Sequence, residues 1–119
     1  MSVTEEKDPF ERGITHFNAQ EFFEAHEAWE ELWLRAPPSE KPFLQGIIQI
    51  AAALYHCGHG NLRGAKSLLA AGVTKMSRYS GAYLGIDVAR LIREAQACVD
   101  GLPGGAGESR AWPQIHRAG

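Results

Sequence analysis

Residues 43–56 read FLQGIIQIAAALYH, and from Pro42 to Leu62 no Asp, Glu, Lys or Arg interrupts the chain. A stretch of that length is close to the roughly 20 apolar residues of a bilayer span. Gln45, Gln49, His56, Gly58 and His59 break it, however, so its reading is a buried helix at the centre of a soluble fold. Everything on either side supports that choice. Apolar residues recur at intervals of three and four, and sustained period-two alternation is missing, so the chain is expected to be all-α.

Working outward, a first helix is predicted from Pro9, well suited to an N1 position, to Phe17, with Asn18 to Gln20 as the turn into a second helix ending near Arg35. Pro37 and Pro38 close that helix, and Ser39 is a candidate cap for the central one. The run Gly58-His59-Gly60-Asn61 supplies left-handed conformers and a cap, giving a helical hairpin with a fourth helix from Leu62 to about Tyr79. Asp87 is placed to cap a fifth, ended by Gly101. The expected organisation is a flexible start over residues 1–8, one array of five helices over 9–102, and a Gly-rich mobile tail over 103–119. Glycines inside the helices, Gly46, Gly64 and Gly72, mark close helix approach.

At 119 residues the chain is one domain, and with 45% hydrophobic and 22% charged residues it is neither disordered nor fibrous. A net charge of -2 gives no general attraction to nucleic acid or to an anionic membrane. The acidic opening MSVTEEKDPF has no apolar core of an export signal, which predicts a cytoplasmic location. Charge is unevenly spread. Residues 1–35 are acidic and the remainder basic, an asymmetry that internal pairing or a homodimer contact would absorb.

The second helix carries the polar residues that need explaining. Counting Phe22, Phe23, Ala25, Trp29, Leu32, Trp33 and Leu34 as its apolar arc encloses His26 and Glu30 and leaves Glu27 at the edge. A carboxylate inside such an arc needs a partner or a metal. On the central helix, Gln45, Gln49, Ala52 and His56 form a strip without charge. If the two faces meet, His26, Glu30, Gln45, Gln49 and His56 form a buried polar cluster with Trp29, Trp33 and Tyr55 beside it. Three chemistries fit. The first is a hydrogen-bond network in a binding or scaffold protein that takes a small molecule or a protein partner. The second is a divalent metal site (zinc, manganese or iron) held by His26, Glu30 and His56, with Glu27 as base for metal-assisted hydrolysis. The third is metal-free acid/base chemistry at His26, on a ligand lodged against Trp29, Trp33 and Tyr55. The segment His26-Glu27-Ala28-Trp29-Glu30 is HExxE and lacks the second His of a zinc protease, and no Glu-x-x-His of the di-iron type is present.

The stretch Phe17-Asn18, FFEAHEAWEELW at 22–33, FLQGIIQIAAALYH at 43–56 and GNLRGA at 60–65 resembles the domain of unknown function 309 family, small all-helical bacterial and archaeal proteins. Its hallmark elements fall on Phe17 and Asn18; on His26, Glu27, Glu30 and Trp33; on Gln45, Gly46 and Gln49; and on Gly60, Asn61, Gly64 and Ala65. The resemblance implies a compact helical array and no established reaction, substrate or cofactor. Paired helices with small residues near their crossings (Gly13 and Ala25; Ala53 and Ala65) also look like tetratricopeptide hairpins, which hold peptides, though two hairpins fall short of the usual three.

Overall fold

Asp8 begins the first helix, α1 (Pro9–Asn18), its carboxylate accepting the Glu11 N–H at 3.0 Å while Pro9 occupies a position that has no N–H to satisfy. This is a computed structural model, which describes residues 8–79, 81–101 and 111–118. The expectations for residues 1–7 and 103–110 lie outside the described residues. Beyond α1 run α2 (Phe22–Arg35), α3 (Lys41–Gly58), α4 (Leu62–Met76) and α5 (Val88–Asp100). The all-α expectation holds, with a central third helix. From α3, Phe43, Leu44, Ile47, Ile50, Ala51, Ala53, Leu54 and Cys57 are all buried. No helix among the described residues is long and apolar enough to cross a membrane.

The two helix pairs close with the same turn. At the end of α1 the Gln20 N–H bonds to Phe17 O (2.9 Å) and the Glu21 N–H to His16 O (2.8 Å). At the end of α3 the Gly60 N–H bonds to Cys57 O (3.2 Å) and the Asn61 N–H to His56 O (2.9 Å). Each is a Schellman turn, which needs a left-handed residue to satisfy the last helical carbonyls. Gly60 has φ +81° at no cost, whereas Gln20 adopts φ 67° against its own Cβ. Asn61 then caps α4 by accepting the Gly64 N–H at 3.0 Å. The cap expected at Ser39 is absent. α3 is entered instead through a turn in which Pro37 O accepts the Glu40 and Lys41 N–H groups, and Ser39 O receives the Tyr79 hydroxyl at 3.4 Å.

Glycines set the two main crossings. A β-carbon on Gly72 would stand 2.7 Å from Gly46 O, and one on Gly46 would stand 2.6 Å from Met76 Cγ, so α3 and α4 touch backbone to backbone. On the α1/α2 pair a β-carbon on Gly13 would overlap the Trp29 indole. Gly13 thus lies at the α1/α2 crossing, against the Trp29 indole. Trp29 is fully buried, and its Nε1 donates to Phe10 O at 3.2 Å.

α4 stops at Met76, short of the expected Tyr79, and passes into a 3-10 turn, Ser77–Tyr79. A small hairpin follows, β1 (Ala82–Tyr83) paired antiparallel with β2 (Ile86–Asp87). Its Leu84-Gly85 turn has φ +50° and +80°, the signature of a type I′ turn. Two-residue strands are too short to leave an alternating pattern in sequence. The expected Asp87 cap forms, its side chain accepting the Arg90 N–H at 3.1 Å.

Two substitutions test these packing and turn assignments. Gly72→Ala removes a glycine from a helix interior, which by propensity alone stabilises by up to about 1 kcal/mol. Because the added methyl meets a backbone oxygen, a net loss of about 1–3 kcal/mol is expected in urea unfolding. Gln20→Gly is expected to gain up to about 1 kcal/mol by relieving the left-handed φ, and a loss would refute the strain at that turn.

Candidate functional site

α2 is rotated relative to the arc that its sequence suggests. Its buried residues are Phe22, Ala25, Ala28 and Trp29. At about 100° per residue these centre the core side well away from Phe23 and Leu34, which are 47% and 70% exposed. Counting those two as core pulled the expected arc over Glu30. Glu30 is in fact exposed, its side chain at 55% of full accessibility, and lies at the solvent end of a 3.7 Å approach from His26 Nε2. It needs no buried partner.

The expected cluster therefore divides. Gln45 is exposed, and Gln49 Oε1 accepts from Lys75 Nζ of α4 at 3.0 Å. Trp33, half-buried, lies under Lys41 Nζ (4.4 Å from the ring centre), while Trp29 belongs to the core. Glu27 is exposed. His26 and His56 do come together with Tyr55, lining a small cavity of about 170 Å³ with Phe22, Phe23 and Ala52. His26 stacks on Phe23 at 6.0 Å, and its buried Nδ1 has no hydrogen-bond partner among the described residues. His56 Nδ1 accepts from Asn61 Nδ2 at 3.4 Å. Among the described residues no group of three or more His, Cys, Asp or Glu side chains is placed to hold a metal ion. His26, Glu30 and His56 thus do not form the expected ligand set, because Glu30 turns outward. Among the described residues only Arg117 with Glu11 pairs the acidic first 35 residues with the rest.

A larger cleft of about 490 Å³ opens beside the two histidines, at the end of the bundle where both hairpin turns lie. The first turn of α2 gives one wall, with Phe22, Phe23 and the carboxylates of Glu21 and Glu24; the last turn of α3 gives another, with Leu54, Tyr55, Gly58 and His59. Phe23 and Tyr55 approach at 5.8 Å across the opening, and the His59 ring lies 4.2 Å from Tyr55. His59 is held by donation from Nδ1 to Tyr55 O at 2.8 Å.

The third wall, Trp112, comes from the segment expected to be mobile. Residues 111–118 instead lie along the body as a strap. Asn18 grips it three times: Oδ1 accepts the Ile115 N–H (2.7 Å), Nδ2 donates to Ile115 O (3.2 Å), and its main-chain oxygen accepts from Gln114 Nε2 (2.9 Å). Ile115 is buried, Trp112 packs on Phe22 at 5.4 Å, Ile86 forms a bridge with Arg117, and Arg117 forks onto Glu11. Glu94 accepts the Gln114 N–H at 3.0 Å and Arg90 Nε at 2.9 Å, with His116 Nε2 at 3.5 Å. Partial burial pushes the Glu94 carboxyl up, but the Gln114 amide, Arg90 and His116 outweigh it, so it titrates below the ordinary carboxylate range. The one sequence signal for the strap is its own composition: Trp112 and Ile115 are an apolar pair beyond a run of glycines.

The family model described as "Domain of unknown function (DUF309)" matches residues 10–68. The uncharacterized protein YpuF of Bacillus subtilis (strain 168) is 38% identical over 88 residues, 71% of this chain and 51% of that protein. The chain thus spans about half the length of that curated relative. The family match covers α2 and α3, the helices that build the cleft, and neither description carries a reaction or a ligand.

A carboxylate whose folded value is depressed stabilises the folded form fully above its unfolded value and loses that contribution as pH falls through the folded one. The strap is therefore expected to stay docked at neutral pH and to loosen on acidification below the ordinary carboxylate range. The indole N–H resonance of Trp112 reports it, and Glu94→Gln should remove that acid step while leaving the neutral-pH spectrum of α1–α4 in place.

Proposed function

Since residues 10–68 belong to the DUF309 family, whose description carries no activity, we propose from the chain's own geometry that it is a binding module holding a segment of a protein partner in the cleft. The observation that carries this reading is the pair of aromatic rings left in water there. Phe23 is 47% exposed and Tyr55 36%, although the fold buries Phe17, Phe22, Trp29 and Phe43. Exposed aromatic surface beside a concavity is the usual anchor point of an interface. A volume of about 490 Å³ is within the range of binding pockets.

The shape favours a chain segment. The cleft and the smaller cavity share Phe22, Phe23 and Tyr55, so neighbouring side chains of one segment can enter the two depressions. Both helix ends are fixed by the Schellman turns, so the walls are preorganised, and little conformational entropy is spent on binding. This is the peptide-holding role suggested by the paired hairpins, with the ligand at the turn end instead of along stacked helix faces. His26 and His56 then serve as polar contacts in the side cavity.

The test is a selection of peptides from a random library on the purified chain, followed by titration of the best binders. Exposed side chains contribute within about 0.5 kcal/mol to stability, so Phe23→Ala/Tyr55→Ala is expected to melt like wild type while losing at least tenfold in affinity. Binders that are indifferent to both substitutions would sink the proposal.

A further inference from the structure

What lines the cleft also restricts what can fill it. Its described walls contain no Lys or Arg, and neither do those of the adjoining cavity. They do contain two carboxylates, of which Glu21 is already engaged by His16 Nδ1 at 2.7 Å. Glu24 is exposed and has no ion pair among the described residues. The helix termini act in opposite senses. The α2 N-terminus presents N–H groups that favour an anion, but Glu21 and Glu24 sit in and beside its first turn and offset that end. The α3 C-terminus presents carbonyls and the negative end of its dipole, with no Lys or Arg in its last turn. The electrostatic balance of the cleft is therefore negative.

Ring faces add to that balance. An aromatic face attracts a cation within about 6 Å of its centre, and an alkylammonium also gains from burying its carbon substituents there. Phe23, Tyr55 and Trp112 come from three separate segments around one opening. Nor does the fold neutralise this face from within, because the basic residues of α4 form no ion pair with α2 among the described residues.

We propose that the cleft recognises an alkylammonium side chain, a lysine or its methylated form on the partner segment, seated among Phe23, Tyr55 and Trp112 with Glu24 offsetting its charge. The assignment to a partner segment rests on the binding reading above; the cation preference rests on the lining alone.

Calorimetric titration of the full chain with three probes tests it. These are the methylamide of N-acetyl-trimethyllysine, its uncharged isostere with a tert-butyl end, and choline. The lysine derivative is expected to bind about tenfold more tightly than the neutral isostere, a margin of the size that cation–π attraction supplies. Glu24→Gln should narrow that margin, as should added salt, which screens an exposed carboxylate. Tyr55→Ala should weaken both ligands, the charged one more, because it removes one of the ring faces that attract the charge. Equal binding of charged and neutral probes would overturn the cation preference and leave the binding module standing. The cation preference is likewise overturned if neither probe binds while library peptides still bind through Phe23 and Tyr55. If no library peptide binds either, both readings fall. Choline bound more tightly than the lysine derivative would overturn the partner-borne source in favour of a free small cation.

Discussion

Gly46 and Gly72 meet where α3 crosses α4, with no side chain between the two backbones. In a chain of this size the core is small, so how closely its central helix approaches a neighbour decides how much apolar surface leaves water. A methyl at either position would push the helices apart and loosen Ile50 and Met76, both fully buried beside the contact. The α1/α2 pair uses the same device in another form, since the absent side chain of Gly13 is the space that the Trp29 indole fills. Each glycine crossing fixes one hairpin internally, and the packing of α2 on α3 sets the two hairpins side by side, with both closing turns beside the cleft.

That placement is what makes a site. The cleft exists because the first turn of α2 and the last turn of α3 stand side by side and the strap closes the remaining side. Its chemistry is simple: ring faces, two carboxylates and a histidine. Polar groups that lie deeper, His26 and His56, belong to the smaller annex. The arrangement suits recognition, because its two helical walls are held by backbone hydrogen bonds in the turns.

The helices were legible in the sequence because their signals are local. Pro9, Asn61 and Asp87 mark starts, Gly60 marks an end, and the uncharged run from Pro42 to Leu62 identifies the helix that others surround. The site was less so. His26, His56 and Tyr55 do share a cavity, but Glu30 was drawn into the group by a rotational error of one helix, and that error came from treating Phe23 and Leu34 as core. Hydrophobicity records that a residue avoids water, not which neighbour shields it; a residue kept exposed for binding carries the same letter as one buried for stability. Trp112 and Ile115 stood out as residues able to dock on the body, but where they dock was out of reach for a different reason. Their position depends on Asn18, and no periodic pattern links residues so far apart.

The grip of Asn18 on Ile115 joins residues 97 positions apart in the sequence. Closing so long a loop costs entropy, which the strap's nearer contacts with Ile86 and Glu94 offset only in part. The α1/α2 and α3/α4 hairpins, by contrast, are built from near neighbours. A short segment held mainly by its ends and by one asparagine is a natural unit of local opening, separable from the glycine crossings. A molecule with every helix native can thus still lack the third wall of its cleft. Whether the cleft is complete is then governed by the equilibrium of one eight-residue segment, separately from the stability of the bundle beneath it.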